Sequence, residues 1–276
     1  MEAPLIYDVG LCNGDDSAYY LHLGFRVVAI EANPNLAEAA EQRFASEIAS
    51  GQLNVVNVGI SAERGRAPFW ICDDHLEWSS FHRAIASRGD SVHHAIEIPT
   101  VPFDAILEEH GMPLYCKIDI EGNDHLCLAK MRKGHTPPFL SLELSRLSSG
   151  NSFVTLCELG YKRFKVIDQA RFCTVAPRVY RLLDAPSVIG AVARRANRLG
   201  RSRMSHDGWR FPMGSSGAIG PATPGRWLDI DSARRICDLV EERKRNTSLL
   251  EWFDLHAALE EPGWAEPLVV GSISWR

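Results

Sequence analysis

Leu5-Ile-Tyr-Asp-Val-Gly-Leu-Cys-Asn-Gly14 opens as a short apolar run that stops at Gly10, and this stretch, with the 50 or so residues after it, decides the fold. An apolar run of this length, closed by glycine, reads as a strand buried on both faces of a parallel sheet. Residues 15–23 then read as a helix, with Gly24 able to end it. Phe25 to Ile30 is a second apolar run, closed by Glu31. Asn33-Pro34 supplies an N-cap followed by proline at the first helical position. That helix is expected to run to Gly51, before a third strand from Leu53 to Ile60. Strand, helix, strand, helix, strand is the signature of a parallel sheet with helical crossovers.

Outward from this segment the alternation loosens. Residues 67–72 and 96–101 read as additional strands around a polar loop. Order returns with a helix at 103–110, a strand at 114–120, a helix after Glu121, a strand at 139–144, a helix near 152–159 and a strand at 161–168. Beyond residue 176 the pattern changes. Ser187 can cap a helix whose Val188, Val192, Ala196 and Leu199 form an apolar stripe, with Arg194, Arg195 and Arg198 mostly on the other side. Glycine and proline become frequent between 205 and 226, and a further helix is expected at 229–246. The fold class expected is α/β, a Rossmann-like, mostly parallel sheet flanked by helices over residues 1–176. Residues 177–276 are expected to form a helical and loop elaboration packed on that core: a basic helix, a glycine-rich substrate lid and a terminal helix.

Composition sets outer limits. The 276 residues are 45% hydrophobic and 24% charged, an ordinary globular balance, and the net charge of -5 gives no reason to expect nucleic acid as a partner. The seven cysteines are odd in number, scattered and without a C-x-x-C pair, against both a disulfide framework and a zinc site. Residues 1–4 lack a basic region, and no apolar run approaches the roughly 20 residues that span a bilayer. A cytoplasmic protein without a transmembrane segment is expected.

Gly10 and Gly14 allow a tight turn and close approach of a ligand to the backbone. Glu31 lies 17 residues beyond Gly14 and ends the neighbouring strand. In a right-handed β-α-β unit both features face one crevice, where a carboxylate can accept both hydroxyls of a ribose. The plainer alternatives are glycines that serve only the turn and a Glu31 that is merely solvated. A dinucleotide site wants G-x-G-x-x-G with its pyrophosphate at the helix N-terminus. Here Cys12 fills the second glycine position, and Asp15 and Asp16 place negative charge at the helix start. Those carboxylates repel a pyrophosphate and tolerate an ammonium and a sulfonium, favouring S-adenosylmethionine.

Several segments carry a family likeness: Asp8-Val-Gly-x-x-x-Gly14 with Ser17, Ala29-Ile-Glu-Ala-Asn-Pro34 and Lys117-Ile-Asp-Ile-Glu-Gly122. With them stand Asn57-Val-Gly-Ile-Ser61, the Ser79-Ser80 pair and Thr100-Val-Pro-Phe-Asp104. In this order, over residues 5–145, the chain resembles the FkbM-type family of class I S-adenosylmethionine-dependent methyltransferases. It departs where the family's first motif usually has Asn and this chain has Cys12, beside Asn13. A further acidic position three residues after Glu121 is Asp124 here. The resemblance implies a seven-stranded sheet with helices on both faces and S-adenosylmethionine as donor. It also implies an acceptor that is commonly an oxygen of a natural product or sugar. Carried over by position, it implies donor contacts from Asp8, Gly10, Gly14, Ser17 and Glu31, with Asn13 in place of the usual Asn. Ser61 and Ser80 would stand near the donor's adenine or methionine parts.

Methyl transfer needs alignment above all, and a hydroxyl acceptor gains from a base. Asp119 and Glu121 are i and i+2 on an extended segment, so both can face one site. Asp119 is the candidate base or orienting group; Glu121 is a candidate for substrate binding or for capping the helix. His125, four residues on, is a further catalytic candidate, and His206, Trp209 and His256 are substrate candidates. Each histidine has the alternative of a satisfied structural role. The spacing is not that of a metal motif, and no metal is expected. The loop from Trp209 to Trp227 is the expected lid. The run Arg178, Arg181, Arg194, Arg195, Arg198, Arg201, Arg203 and Arg210 suits recruitment of an anionic small-molecule acceptor, with a membrane-surface helix or a solvated basic face as alternatives. A nicotinamide-dependent oxidoreductase and a non-catalytic module with a retained donor site are the rival functions.

Overall fold

A computed structural model describes residues 2–144, 149–178, 205–212, 214–246 and 252–259, with the backbone of 268–270 and 273–275. The helix expected after Ser187 and the arginines from 181 to 203 lie outside these residues. The first elements are β1 (Leu5–Val9), α1 (Asp15–His22), β2 (Arg26–Ile30), α2 (Pro34–Arg43), α3 (Ala45–Ala49) and β3 (Leu53–Val56). Asn33 caps α2 as expected, its side chain accepting the Asn35 N–H, and Pro34 takes the first position. The expected single helix breaks at Phe44, whose backbone is non-helical and whose ring is buried beneath Gly14. Turning that ring into the core is what divides α2 from α3.

Next come β4 (Gly59–Ile60), β5 (Gly65–Cys72), α4 (Arg83–Ala86) and β6 (His93–Val101). The second half holds α5 (Phe103–His110), β7 (Tyr115–Ile118), α6 (Asp124–Ala129), β8 (Phe139–Glu143), α7 (Ser149–Leu159), β9 (Tyr161–Asp168) and β10 (Cys173–Thr174). After these stand the short pair β11 (Ser205–His206) and β12 (Trp209–Arg210), the helix α8 (Ile230–Asn246) and β13 (Phe253–Leu259).

The main sheet runs β10-β9-β13-β8-β7-β1-β2-β3. The pairs from β3 through β8 are parallel, and β13 is antiparallel to both of its neighbours. The expected seven strands are present; the eighth is the two-residue edge strand β10. No strand is expected near 253–259 from the sequence pattern, yet β13 sits inside the sheet, between β8 and β9. The boundary expected at 176/177 therefore falls between strands of one sheet. The second, smaller sheet is β4-β6-β5: β5 and β6 are the stretches read as extra strands, and β4 is the end of the expected strand Leu53–Ile60, which stops at Val56 in the main sheet and crosses to the second one.

Strand alternation sorts the two faces of the main sheet. Tyr7, Val9, Cys116, Ile118, Leu140 and Leu142 look toward α5, α6, α7 and α8 through one apolar core. Ile6, Tyr115, Phe139 and Ala258 look toward α1, α2 and the segment around Phe211 and Ile219. On this second face the register aligns Asp8, Lys117, Ser141, His256 and Lys165 as a buried polar row.

Candidate active site

The chain leaves β1 toward β2 and β3 on one side, and later fills β7 and β8 on the other. Loops after β1 and β7 must diverge, which opens a crevice at the carboxyl ends of the strands. A cavity of about 410 Å³ occupies that crevice, within the roughly 300–1,000 Å³ usual for small-molecule sites. Gly10, Asn13, Glu31, Asp119 and Glu121 line it, as expected of a shared cleft. Phe69 from β5, with Trp78 and Phe81 from the stretch read as a polar loop, supplies an apolar wall.

Glu31 is held by backbone alone. Its Oε2 accepts the Cys12 N–H at 2.8 Å and its Oε1 accepts the Asn33 N–H at 2.8 Å. Cys12 donates that bond from a left-handed backbone with φ 51. Two of the carboxylate's roughly four acceptor positions are used, leaving capacity for a pair of hydroxyls. Burial pushes the carboxyl up to about 7, against the Asn33 and Cys12 N–H bonds that favour its charged form.

Behind the turn lies Lys117, buried in the middle of β7. Its Nζ donates to Asp8 Oδ1 and to the Gly10 carbonyl, both at 3.1 Å, and lies 3.4 Å from Asp16 Oδ2. Burial opposes its charge, yet Asp8, Asp16 and Asp119 together hold it well above the usual lysine range. Ser17 Oγ donates to the other Asp8 oxygen at 2.7 Å. Asp8 and Ser17 thus brace the glycine turn from behind and stand off the cavity wall, because their polar atoms are occupied by each other and by Lys117. Gly14 also stands off it, as the left-handed N-cap of α1.

The remaining sequence candidates divide in the same way. Ser61 Oγ donates to the Glu63 carbonyl at an exposed turn. Ser80 is buried and donates to the Glu121 carbonyl at 2.7 Å, while its neighbour Ser79 reaches the cavity. His125 is exposed on α6 and does not line the cavity. His206 meets Tyr19 Oη at 2.8 Å and Trp209 packs on His22, so both clasp α1 away from the cavity. His256 is 1% exposed within β13, with neither ring nitrogen hydrogen-bonded among the described residues. Burial, with Lys165 nearby, pushes it down to about 3, so it is a neutral core residue. Of the expected lid, Gly214 and Ser215 border the cavity. The segment is docked on α1: Ser215 Oγ donates to Asp16 at 2.5 Å and the Ser216 N–H does so at 3.0 Å.

The loop after β7 is tightly built. Asp124 accepts the N–H groups of Ile120 and Gly122 at 3.2 Å each. Glu121 takes φ 49, a conformation a non-glycine residue adopts only when its surroundings impose it. Its carboxylate pairs with Arg88. Burial, then the charges of Glu143 and Asp119, push Glu121 up to about 8 against that pairing. Oxygens of Asp119, Glu121 and Glu143 lie within 4.8 Å of one another. Glu143, Gln169 and Lys117 are site residues that the sequence reading misses. Glu143 does carry a signal, since Phe-Leu-Ser-Leu-Glu143 is an apolar run closed by an acid, as Ile30-Glu31 is.

The lining is rich in carboxylates, with Asp15, Asp16, Glu31, Asp119, Glu121 and Glu143 around Lys117. That environment suits a ligand carrying an ammonium and a sulfonium and is hostile to a pyrophosphate. A profile of the methyltransferase FkbM domain matches residues 8–162, more than half of the chain. The chain belongs to the FkbM methyltransferases. As an FkbM methyltransferase it is S-adenosylmethionine-dependent, and the residues lining the cavity fit that donor's charge and its ribose. No curated protein matches the chain. Among solved structures it is similar to a precorrin-6y C5,15-methyltransferase from Geobacter metallireducens GS-15, at 8% identity and a TM-score of 0.36, covering 94% of this chain and 82% of that one. It is likewise similar to a methyltransferase from Thiobacillus denitrificans in complex with S-adenosylhomocysteine, at 9% identity and a TM-score of 0.34, covering 94% and 86%. Among the described residues, no helix of this FkbM methyltransferase is long and apolar enough to cross a membrane.

Proposed function

We propose that this FkbM methyltransferase methylates an oxygen of a small-molecule acceptor, a natural product or sugar, with the donor ribose on Glu31 and the acceptor hydroxyl beside Asp119. The observation that carries this reading is that the two carboxylates line one cavity on either side of the Gly10 turn. S-adenosylmethionine supplies the methyl group and its reactivity. The protein orients the partners, excludes water with the wall of Phe69, Trp78 and Phe81, and removes a proton. Asp119 accepts the hydroxyl proton as the oxygen gains its methyl group, so the acceptor leaves as a neutral ether.

Replacing Asp119 with Asn is expected to lower turnover about 10²-fold or more, the range of general-base catalysis, with little change in the thermal midpoint. Steady-state rates and a melting curve on the same preparation test this, and full activity would remove Asp119 from the chemistry.

Replacing Glu31 with Ala is expected to weaken S-adenosylhomocysteine binding by at least ~1 kcal/mol in calorimetry. The ionised carboxylate is the form that accepts two hydroxyls. With its folded value raised to about 7, affinity should fall as pH drops through neutrality. A Glu31→Gln variant should lose that dependence. An unchanged affinity in the alanine variant would misplace the ribose.

A further inference from the structure

We infer that Gly214 and Ser215, in a strap beyond the matched family domain, form the wall against the donor's amino-acid chain, which makes the strap a donor clamp rather than an acceptor lid. The inference rests on the donor ribose lying at Glu31.

Sheet order gives the cavity two unlike ends. Glu31 directly follows β2, which has β3 on one side and β1, then β7, on the other. Toward β3 the lining is Ala32, Leu36, Val58 and Ile60, all apolar. Toward β1 and β7 it is Gly10, Asn13, Asp16, Lys117 and Asp119. Gly214 and Ser215 border this second end, since Ser215 is bonded to Asp16. A donor whose ribose hydroxyls meet Glu31 has its flat base on one side of that contact. Its sulfonium and charged amino-acid chain lie on the other. The base gains from burial at the apolar end, and the charged chain keeps polar partners only at the second end. Ser215 therefore stands against the amino-acid chain, with the base out of its reach.

The strap is fixed in this position from both sides. Phe211 packs its ring on Tyr19, with 4.7 Å between centroids, and Ile219 is buried in the same apolar cluster. Between these anchors Ser215 and Ser216 are buried polar residues that share one partner, Asp16. The Ser215 hydroxyl and the Ser216 N–H both donate to that carboxylate, and the Gly217 N–H donates to Ser215 Oγ at 3.1 Å.

Asp16 also faces Lys117 Nζ, which donates to the Gly10 carbonyl. Charge-assisted contacts thus run unbroken from Gly10 through Lys117 and Asp16 to Ser215. They hold the glycine turn and the strap at one spacing, on two sides of the same end of the cavity. Both oxygens of Asp16 are engaged in this path, so Asp16 serves as the anchor of the strap. A clamp built this way discriminates by the amino-acid chain. S-Adenosylhomocysteine carries that chain; 5′-methylthioadenosine has the same nucleoside and sulfur without it.

The test is hydrogen–deuterium exchange of the full chain saturated with each ligand in turn, beside calorimetric affinities for both. S-Adenosylhomocysteine should slow exchange of the 214–217 amides about fivefold or more, and 5′-methylthioadenosine should leave them within about twofold of the free protein. Amides around Glu31 should slow with both ligands. Ser215→Ala removes the hydroxyl bond to Asp16. It should weaken S-adenosylhomocysteine about tenfold, the scale of one hydrogen bond to a charged group, and 5′-methylthioadenosine less than about twofold. The exchange measurement uses the unaltered protein, so it decides the matter even if the variant fails to fold. Equal protection of the strap by both ligands, or by neither, overturns the inference, as does an alanine variant that weakens both ligands alike. If neither ligand binds the unaltered protein, the donor site itself fails and the inference falls with it.

Discussion

Replacing Gly10 with alanine is expected to destabilise the protein by about 3 kcal/mol or more and to lower its melting temperature by roughly 10 °C. Two effects add. Gly10 has φ 93, where any L side chain is strained by about 1–2 kcal/mol. A Cβ there would also lie 1.8 Å from the Asp119 carbonyl oxygen, a backbone atom with no rotamer to escape into. To make room, β7 must retreat from β1, breaking the 2.8 Å bond from the Asp119 N–H to the Val9 carbonyl. Gly51→Ala is the control. It has φ 75, but its Cβ would meet nothing within 4 Å, so only the backbone cost remains, about 1–2 kcal/mol. Calorimetric melting of both variants decides the matter; equal losses would mean that β1 and β7 do not approach as described.

Lys117→Met is the second large effect, about 3–5 kcal/mol, the cost of stripping one partner from a buried ion pair. The methionine fills similar volume, so the loss is electrostatic. Asp8 is fully buried, and Asp16 nearly so. Burial already raises Asp8 above the usual carboxylate range, with Lys117 opposing that shift. Without Lys117 the folded-state pKa climbs further above its unfolded value. The folded variant then binds more protons than the unfolded chain, so stability falls as pH rises through that folded value. As pH falls toward 4, part of the loss should be recovered. Urea unfolding at pH 5 and pH 8 measures it. A loss that is equal at both pH values would show that Asp8 and Asp16 find another partner.

The first half of the fold is legible because its signals are local. Ile-Tyr-Asp-Val-Gly10, Ile30-Glu31 and Asn33-Pro34 each state their own conformation within a few residues. The strand at 161–168 and the helix near 103–110 agree with the structure for the same reason. β13 is missed, because Phe-Asp-Leu-His-Ala-Ala-Leu is short, carries Asp254 and His256, and lacks the continuous apolar run that marks the other buried strands. Its Asp254 and His256 are buried only because β8 and β9 flank it, a fact of tertiary structure. Site residues divide along the same line. Glu31 and Asp119 end apolar runs and announce themselves. Ser17 looks like a ligand contact in the sequence, but its hydroxyl has a nearer partner in Asp8. His206 and Trp209 lie in a glycine-rich stretch that suggests a lid, yet their rings are taken up by Tyr19 and His22.

The position of β13 has a consequence for how the chain is made. A ribosome releases every other strand of the main sheet first, so β8 and β9 emerge with a vacant slot between them. Residues 253–259 must thread into that slot late, and they bring Asp254 opposite Glu143. Nascent chains should therefore be protease-sensitive around β9 until residues 253–259 have emerged, and competence for methyl transfer should arrive only with them.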